Sequence, residues 1–216
     1  MGDCLRQKNS HANAIRIGNF RWDYYQKNRP FYQKILKELQ LPEGAKYLYA
    51  PTWEDQENNC SFWHAFPKLV EHLPSHCNLL VKWHPNTYRQ HEVKLEQIIG
   101  KYADRKNIVF LSDFPPIYPL LEVCDGYIGD MSSIGYDFLK FQRPMFFFNT
   151  QNRSEKTDPS LYLYRCGREI LPEQFSSIFL SDEDQKLNEI QKETYDYAFD
   201  SDIDLKKVIA SCALQP

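Results

Sequence analysis

Gly126-Tyr127-Ile128-Gly129-Asp130-Met131-Ser132-Ser133-Ile134-Gly135-Tyr136-Asp137-Phe138-Leu139-Lys140-Phe141 decides the fold. A short apolar run, GYI, passes through a tight end into small and hydroxylated residues, and SSIGYDFLKF then reads as a helix. A strand feeding a helix is the repeating unit of a parallel sheet, and the same alternation extends in both directions. Upstream, KNIVFLS (106–112) and CNLLVKWHP (77–85) contain buried strands, the latter with a near-continuous apolar run from Leu79 to Val81. KYLYAPT (46–52) is a further strand, closed by Pro51. Between them, SFWHAFPKLVEH (61–72), HEVKLEQIIGKY (91–102) and IYPLLEVC (117–124) read as helices, although Pro67 interrupts the first. Downstream, RPMFFFN (143–149) is another buried strand. The expectation is an α/β chain with a Rossmann-like, doubly wound parallel sheet.

The outer segments are less regular. Tyr24 to Leu39 has helical apolar spacing with Pro30 near a helix start, and LPEG (41–44) is a stop-and-turn signal. Beyond Asn149 comes a polar loop (149–160), and residues 182–199 read as a terminal helix with a solvated outer face. The organisation expected is a lead-in over 1–20, a nucleotide-binding domain over 21–190, and a C-terminal helix and tail over 191–216.

With 216 residues the chain can bury one α/β domain well but is short for two. Aromatic residues make up 15%, including 14 Tyr and 14 Phe, so the core and any pocket are expected to be ring-rich. A net charge of -3 gives no footprint for nucleic acid and no polybasic membrane arm. No apolar stretch reaches bilayer length, and MGDCLRQKNSH lacks the apolar run of a signal peptide. Arg6 stands where a myristoylation signal has Ser or Thr. A cytoplasmic location is expected. The six cysteines (Cys4, Cys60, Cys77, Cys124, Cys166 and Cys212) have neither CxxC nor paired spacing, so reduced and mostly buried thiols are expected, with no metal site. His72 and His76 are separated by Pro74 and read as surface histidines. No cofactor is called for.

Ligands of open parallel sheets bind at the carboxyl ends of the strands, so the residues that follow each strand are the site candidates. After GYI, the first turn of the helix offers free N–H groups and a positive dipole end to a phosphate, with Ser132 and Ser133 adding hydroxyls. Asp137, one turn beyond Ser133, suits a ribose diol, and Asp130 sits at the strand end as a second nucleotide-contact candidate. A plain helix cap explains one of these residues equally well. After the LLV strand, Lys82 supplies positive charge, and His84, held extended by Pro85, suits hydrogen-bond donation to a phosphate or proton transfer. A surface-loop histidine is the competing reading. After KYLYA, Thr52 offers a hydroxyl and Trp53 a packing face, where a strand-end turn would also account for Pro51 and Asp55. Ser112 and Asp113 suit a helix cap, and Arg165-Cys166-Gly167-Arg168 suits either an anion or plain surface charge.

These segments, in this order, resemble the CDP-glycerol glycerophosphotransferases. IGNFRWDYY is similar to the glycine–arginine–aspartate segment that opens their donor domain, YLYAPTWED to a strand-end motif, and VKWHP to a His-Pro motif. YIGDMSSIGYDFLKFQRPMFFFN is similar to their Asp-x-Ser-Ser…Asp…Lys/Arg-Pro signature. The resemblance covers roughly residues 16–150. It implies the C-terminal, donor-binding domain of a GT-B fold, with His84, Ser132 and Ser133 on the donor pyrophosphate and Asp137 on the ribose. The implied reaction passes glycerol phosphate from CDP-glycerol to a polymer hydroxyl, releases CMP, and relies on electrostatic stabilisation. CDP-ribitol or another nucleotide-activated donor is an alternative, as are a UDP-sugar glycosyltransferase or epimerase relative and a catalytically incomplete nucleotide-binding or interaction module. Peripheral attachment to the inner face of the membrane is common among such enzymes. Glu54 stands where the family usually has Arg. The chain begins almost where the donor domain begins, which implies an acceptor domain on a separate chain, a fragment, or a decayed gene product.

Overall fold

The structure, a computed structural model, describes residues 15, 17–54, 60–112, 114, 117–154, 156–171, 173–180, 184–199 and 203–213. Asp55, Asp113 and residues 1–14 and 16 of the 1–20 lead-in lie outside the described residues, as do the side chains of Cys4 and Cys212. Among the described residues, the first two helices are α1 (Phe20–Lys27) and α2 (Arg29–Glu38). The single helix expected from Tyr24 to Leu39 is therefore two. Pro30 has no N–H to give and sits in the first turn of α2, while Asn28, at φ -111 and ψ 16, interrupts the helical path.

The remaining order is β1 (Ala45–Ala50), α3 (Phe62–His72), β2 (Cys77–Val81), α4 (Pro85–Lys101), β3 (Ile108–Phe110), α5 (Tyr118–Val123), β4 (Gly126–Gly129), α6 (Ser133–Phe138), β5 (Met145–Phe147), β6 (Arg168–Glu169), α7 (Gln185–Phe199) and α8 (Leu205–Ala213). Short 3-10 turns cover Leu139–Phe141, Pro159–Cys166 and Phe175–Leu180. The turn into β1 depends on Gly44, whose φ is +96; a Cβ there would lie 2.7 Å from the carbonyl oxygen of His76.

The strands form one parallel sheet in the order β3-β2-β1-β4-β5-β6, which is the doubly wound arrangement expected. Their apolar residues alternate between two cores, one on each face of the sheet. Tyr47, Tyr49, Leu79, Val81, Ile128 and Phe146 pack with α3, α4 and the 175–180 turn. Leu48, Ala50, Leu80, Tyr127, Met145 and Phe147 pack with α1, α2, α5, α6 and α7. Burial on both faces is why these strands read as continuous apolar runs.

Helix α3 shows how packing overrides a local breaker. Pro67 lies inside it, on the exposed side, while Phe62, Ala65, Phe66, Leu69 and Val70 fill one buried stripe. An interior proline costs about 3 kcal/mol, whereas each fully buried Phe or Leu contributes about 1.5–3 kcal/mol. Three such residues outweigh the break. Helix α7 buries Gln191, Thr194 and Tyr195, and Gln191 Nε2 donates to the carbonyl oxygens of Arg143 (3.0 Å) and Cys166 (2.8 Å). The boundary expected at residue 190 thus falls inside an element docked on the sheet's helical layer. Cys60, Cys77, Cys124 and Cys166 are buried and are not in disulfides. Among the described residues, no helix is long and apolar enough to cross a membrane.

Candidate functional site

The strand order reverses between β1 and β4, so the carboxyl ends of these neighbours diverge into a crevice, with the end of β2 beside it. All three predicted site segments converge there: Pro51–Glu54 after β1, Lys82–His84 after β2 and Asp130–Ser133 after β4.

Asp130 ties the crevice together. Its Oδ2 accepts from the backbone N–H groups of Thr52 and Ser61, each at 3.0 Å, joining the end of β4 to the turn after β1 and to the start of α3. The residue is fully buried and its Oδ1 has no hydrogen-bond partner. Burial raises its carboxyl from the usual carboxylate range to about 7, against hydrogen bonds from Ser61 and Thr52 that favour the charged form. A carboxylate sealed in this way braces the loops; the nucleotide contact expected of it from sequence has no exposed atom to make it. Thr52 is half-buried and joins the crevice through its backbone.

Ser132 stands at the N-cap of α6 in extended conformation, yet its side chain makes no capping bond. Its hydroxyl instead pairs with the Tyr127 hydroxyl at 3.3 Å. The plain-cap explanation of Ser132 therefore fails, and its side chain leaves the first-turn N–H groups uncapped. Ser133, at the first position of the helix, is exposed.

His84 is the N-cap of α4, and its Nδ1 accepts the Asn86 N–H at 3.1 Å. That bond fixes the tautomer of the neutral ring, with the proton on Nε2. Burial, and then the Lys82 charge, lower its pKa, so the ring is neutral near pH 7 and Nε2–H is a ready donor. Trp53 stacks against it, ring centroids 6.0 Å apart and planes 27° from parallel. Lys82 is half-buried, donates to the carbonyl oxygen of Phe114 at 2.6 Å, and has its pKa lowered by burial. Two of its three N–H donors remain beyond that bond.

Asp137 is placed differently from the sequence expectation. It is fully buried, and its Oδ1 accepts from Arg21 Nη2 at 2.9 Å and from the Tyr118 hydroxyl at 2.8 Å. Burial raises its pKa, opposed by Tyr118 and Arg21. Tyr118 in turn accepts from Asn19 Nδ2 at 2.7 Å, and the same amide reaches the Tyr195 hydroxyl at 3.2 Å. Residues of α1 and α5 reach this face of α6, so in the nucleotide-free protein the Asp137 carboxylate meets Arg21 and Tyr118. Arg21, the arginine of the glycine–arginine–aspartate segment, has no site role in the sequence reading. Its side chain is 45% exposed and is held by Asp137, which sits one helical turn from Ser133. The available signal was an Arg and an Asp in two segments of opposite charge, with nothing in the sequence to pair them.

Arg165 and Arg168 are exposed at the sheet's edge beside β6, against the Tyr162 hydroxyl (3.1 Å) and Asp184 (3.8 Å), two strands from the crevice. His72 closes α3 and His76 follows in a turn, both exposed. Among the described residues, no three His, Cys, Asp or Glu side chains gather as metal ligands would.

The family described as CDP-Glycerol:Poly(glycerophosphate) glycerophosphotransferase matches residues 6–171, more than three-quarters of the chain. The chain belongs to that family. The teichoic acid ribitol-phosphate polymerase TarK of Staphylococcus aureus is 27% identical over 122 residues, covering 54% of this chain and 22% of TarK. Among solved structures, the wall teichoic acid polymerase TagF, in a variant soaked with CDPG, superposes with a TM-score of 0.60 at 20% identity, covering 92% of this chain and 48% of TagF. HepE of Anabaena, in complex with UDP and glucose, gives 0.50 at 13% identity over 84% of this chain and 50% of HepE. Similarity at these identities establishes the GT-B-type fold. The family member described here spans about half the length of these solved structures and under a quarter of TarK.

Proposed function

We infer that this chain is the donor-binding half of a glycerophosphotransferase-type enzyme, taking a CDP-activated alcohol such as CDP-glycerol. The observation that carries the reading is the uncapped Ser132–Ser133 turn at the switch point, with the Nε2–H of a neutral His84 supplied from the neighbouring strand end. The donor pyrophosphate would bridge that turn and His84, with Lys82 and Arg21 supplying positive charge from either side and Thr52 lining the β1 end. Trp53 offers a flat apolar face beside His84.

In the reaction that follows from this arrangement, an acceptor hydroxyl attacks the phosphorus that carries the alcohol, and CMP leaves. Negative charge grows on the bridging and departing oxygens. His84 Nε2–H and the α6 N–H groups stabilise it as fixed donors that need no reorganisation. Binding of the acceptor hydroxyl, and any base that takes its proton, would fall to an acceptor domain, which the relatives' greater length accommodates. Attachment to the inner membrane face would fit a polymer acceptor.

Calorimetric titration with CDP, CMP, UDP and CDP-glycerol tests the reading, alongside Ser132→Ala/Ser133→Ala and His84→Ala. Cytidine-selective binding that these variants weaken at least tenfold is expected. A preference for UDP would make the chain a sugar-nucleotide transferase relative. Absence of binding to every nucleotide would leave an interaction module.

A further inference from the structure

Glu54 occupies the position where an arginine was expected beside the donor phosphates, yet its carboxylate does not face them unengaged. Its Oε2 pairs with His91 Nε2 at 2.8 Å, and its Oε1 accepts the indole N–H of Trp63. Trp63 is itself fixed: the His91 ring meets it edge-on, centroids 5.1 Å apart, and Lys94 Nζ lies 3.8 Å over its ring. His91 is the one residue inside α4 with non-helical dihedrals (φ -135, ψ 28), so the helix kinks where it meets Glu54. The acid is thus shared between the start of α3, through Trp63, and the middle of α4, through His91.

The consequence falls on the residue before it. Thr52 is tied through its N–H to Asp130, and Glu54 is tied to His91 and Trp63. Trp53 lies between two tethers, and its ring rests on His84. We propose that Glu54 is a positioning residue that holds Trp53 against the His84 ring, and so orders the donor side of the crevice. The effect on nucleotide affinity rests on the donor-binding reading above; the effect on the Trp53–His84 contact does not.

Two measurements on the full chain separate these layers. In the nucleotide-free protein, the His84 ring-proton resonances carry the ring-current shift of Trp53, and the Trp63 indole proton reports its bond to Glu54. Glu54→Ala is expected to move both sets, His84 towards its position in Trp53→Ala, while Glu54→Gln, which keeps an acceptor oxygen, retains most of the wild-type shifts. Unmoved His84 resonances in Glu54→Ala would overturn the proposal whatever the nucleotide result.

The second measurement is CDP affinity. Positioning predicts about tenfold weaker binding in Glu54→Ala, recovery in Glu54→Gln, and little additional loss when Glu54→Ala is added to Trp53→Ala, because the two act as a unit. An acid that merely repels phosphate predicts the opposite sign, with tighter binding in Glu54→Ala. Tighter binding, unchanged binding, or fully additive losses would each refute the role. If the wild type binds no nucleotide while the His84 shifts behave as expected, the donor reading falls and the positioning contact stands.

Discussion

At the scale of single residues, the two buried aspartates of the 126–141 segment have different work from that of the exposed Ser133 between them. Asp130 is raised to about 7 by burial, above the ordinary value of 3.8. The folded protein therefore binds a proton that the unfolded chain has released between these values, so this group's stabilising contribution is complete below pH 3.8 and is lost as pH rises through about 7. The ionised form costs on the order of 4 kcal/mol relative to an unshifted carboxyl. Asp130→Asn keeps an oxygen for the Thr52 and Ser61 N–H groups and removes the charge. Thermal melts should show it more stable than wild type at pH 8, with the advantage shrinking by pH 5; an equal loss at both values would contradict this. Asp137→Ala strands Arg21 and the Tyr118 hydroxyl, and should cost about 2–4 kcal/mol in urea unfolding. A stability within about 0.5 kcal/mol of wild type, the spread of neutral surface changes, would return Asp137 to the list of ligand candidates.

At the scale of elements, the helices that follow β2 and β4 begin with their caps arranged for different ends. His84 closes the start of α4 with its own ring nitrogen, while Ser132 leaves the start of α6 uncapped by its side chain. That asymmetry gives the crevice one oriented imidazole and one open turn. Helix α3, on the other side of Asp130, persists through Pro67 because its buried stripe outweighs the lost hydrogen bond. Since Pro67 lies on the exposed side, replacing it restores an N–H without disturbing packing. Pro67→Ala should stabilise the protein by about 1–2 kcal/mol, the gain in helix geometry exceeding the entropy that proline removes from the unfolded chain. Chemical denaturation with an unchanged m-value would confirm that the gain is local.

At the scale of the whole molecule, one parallel sheet with helices on both faces brings residues 52, 84 and 132 to a single edge, although 80 positions separate the first from the last. The close approach of β1 and β4 leaves no room at Gly129, where a Cβ would lie 2.9 Å from the Ala50 carbonyl oxygen. A ligand bound at this edge would draw on three strands and so stabilise the domain as a unit. CDP at a hundred times its dissociation constant should add about 2.7 kcal/mol, a rise in Tm of roughly 5–10 °C for a chain of this size. The Ser132→Ala/Ser133→Ala pair, binding at least tenfold more weakly, should cut that rise to about half or less at the same CDP concentration while leaving the ligand-free Tm nearly unchanged. A ligand-free melt lowered by several degrees would mean that these serines support the fold and not the ligand.

The sequence by itself determined the class of fold and the positions of the strand ends, because burial on both faces of a parallel sheet writes continuous apolar runs that survive in one dimension. Leu79 to Val81 and Gly126 to Ile128 were legible for that reason, and so was the family resemblance. The break at Asn28 and the docking of α7 through Gln191 were not, since one depends on how a proline meets the turn before it and the other on carbonyl groups 48 and 25 residues away. The tertiary structure alone decided the pairing of polar groups. Arg21 and Asp137 are 116 positions apart, Asp130 and Thr52 78, and Glu54 and His91 37. A carboxylate's chemistry depends on whether water or a buried donor faces it. Local sequence carries the residue's type, but only the packed chain sets that environment.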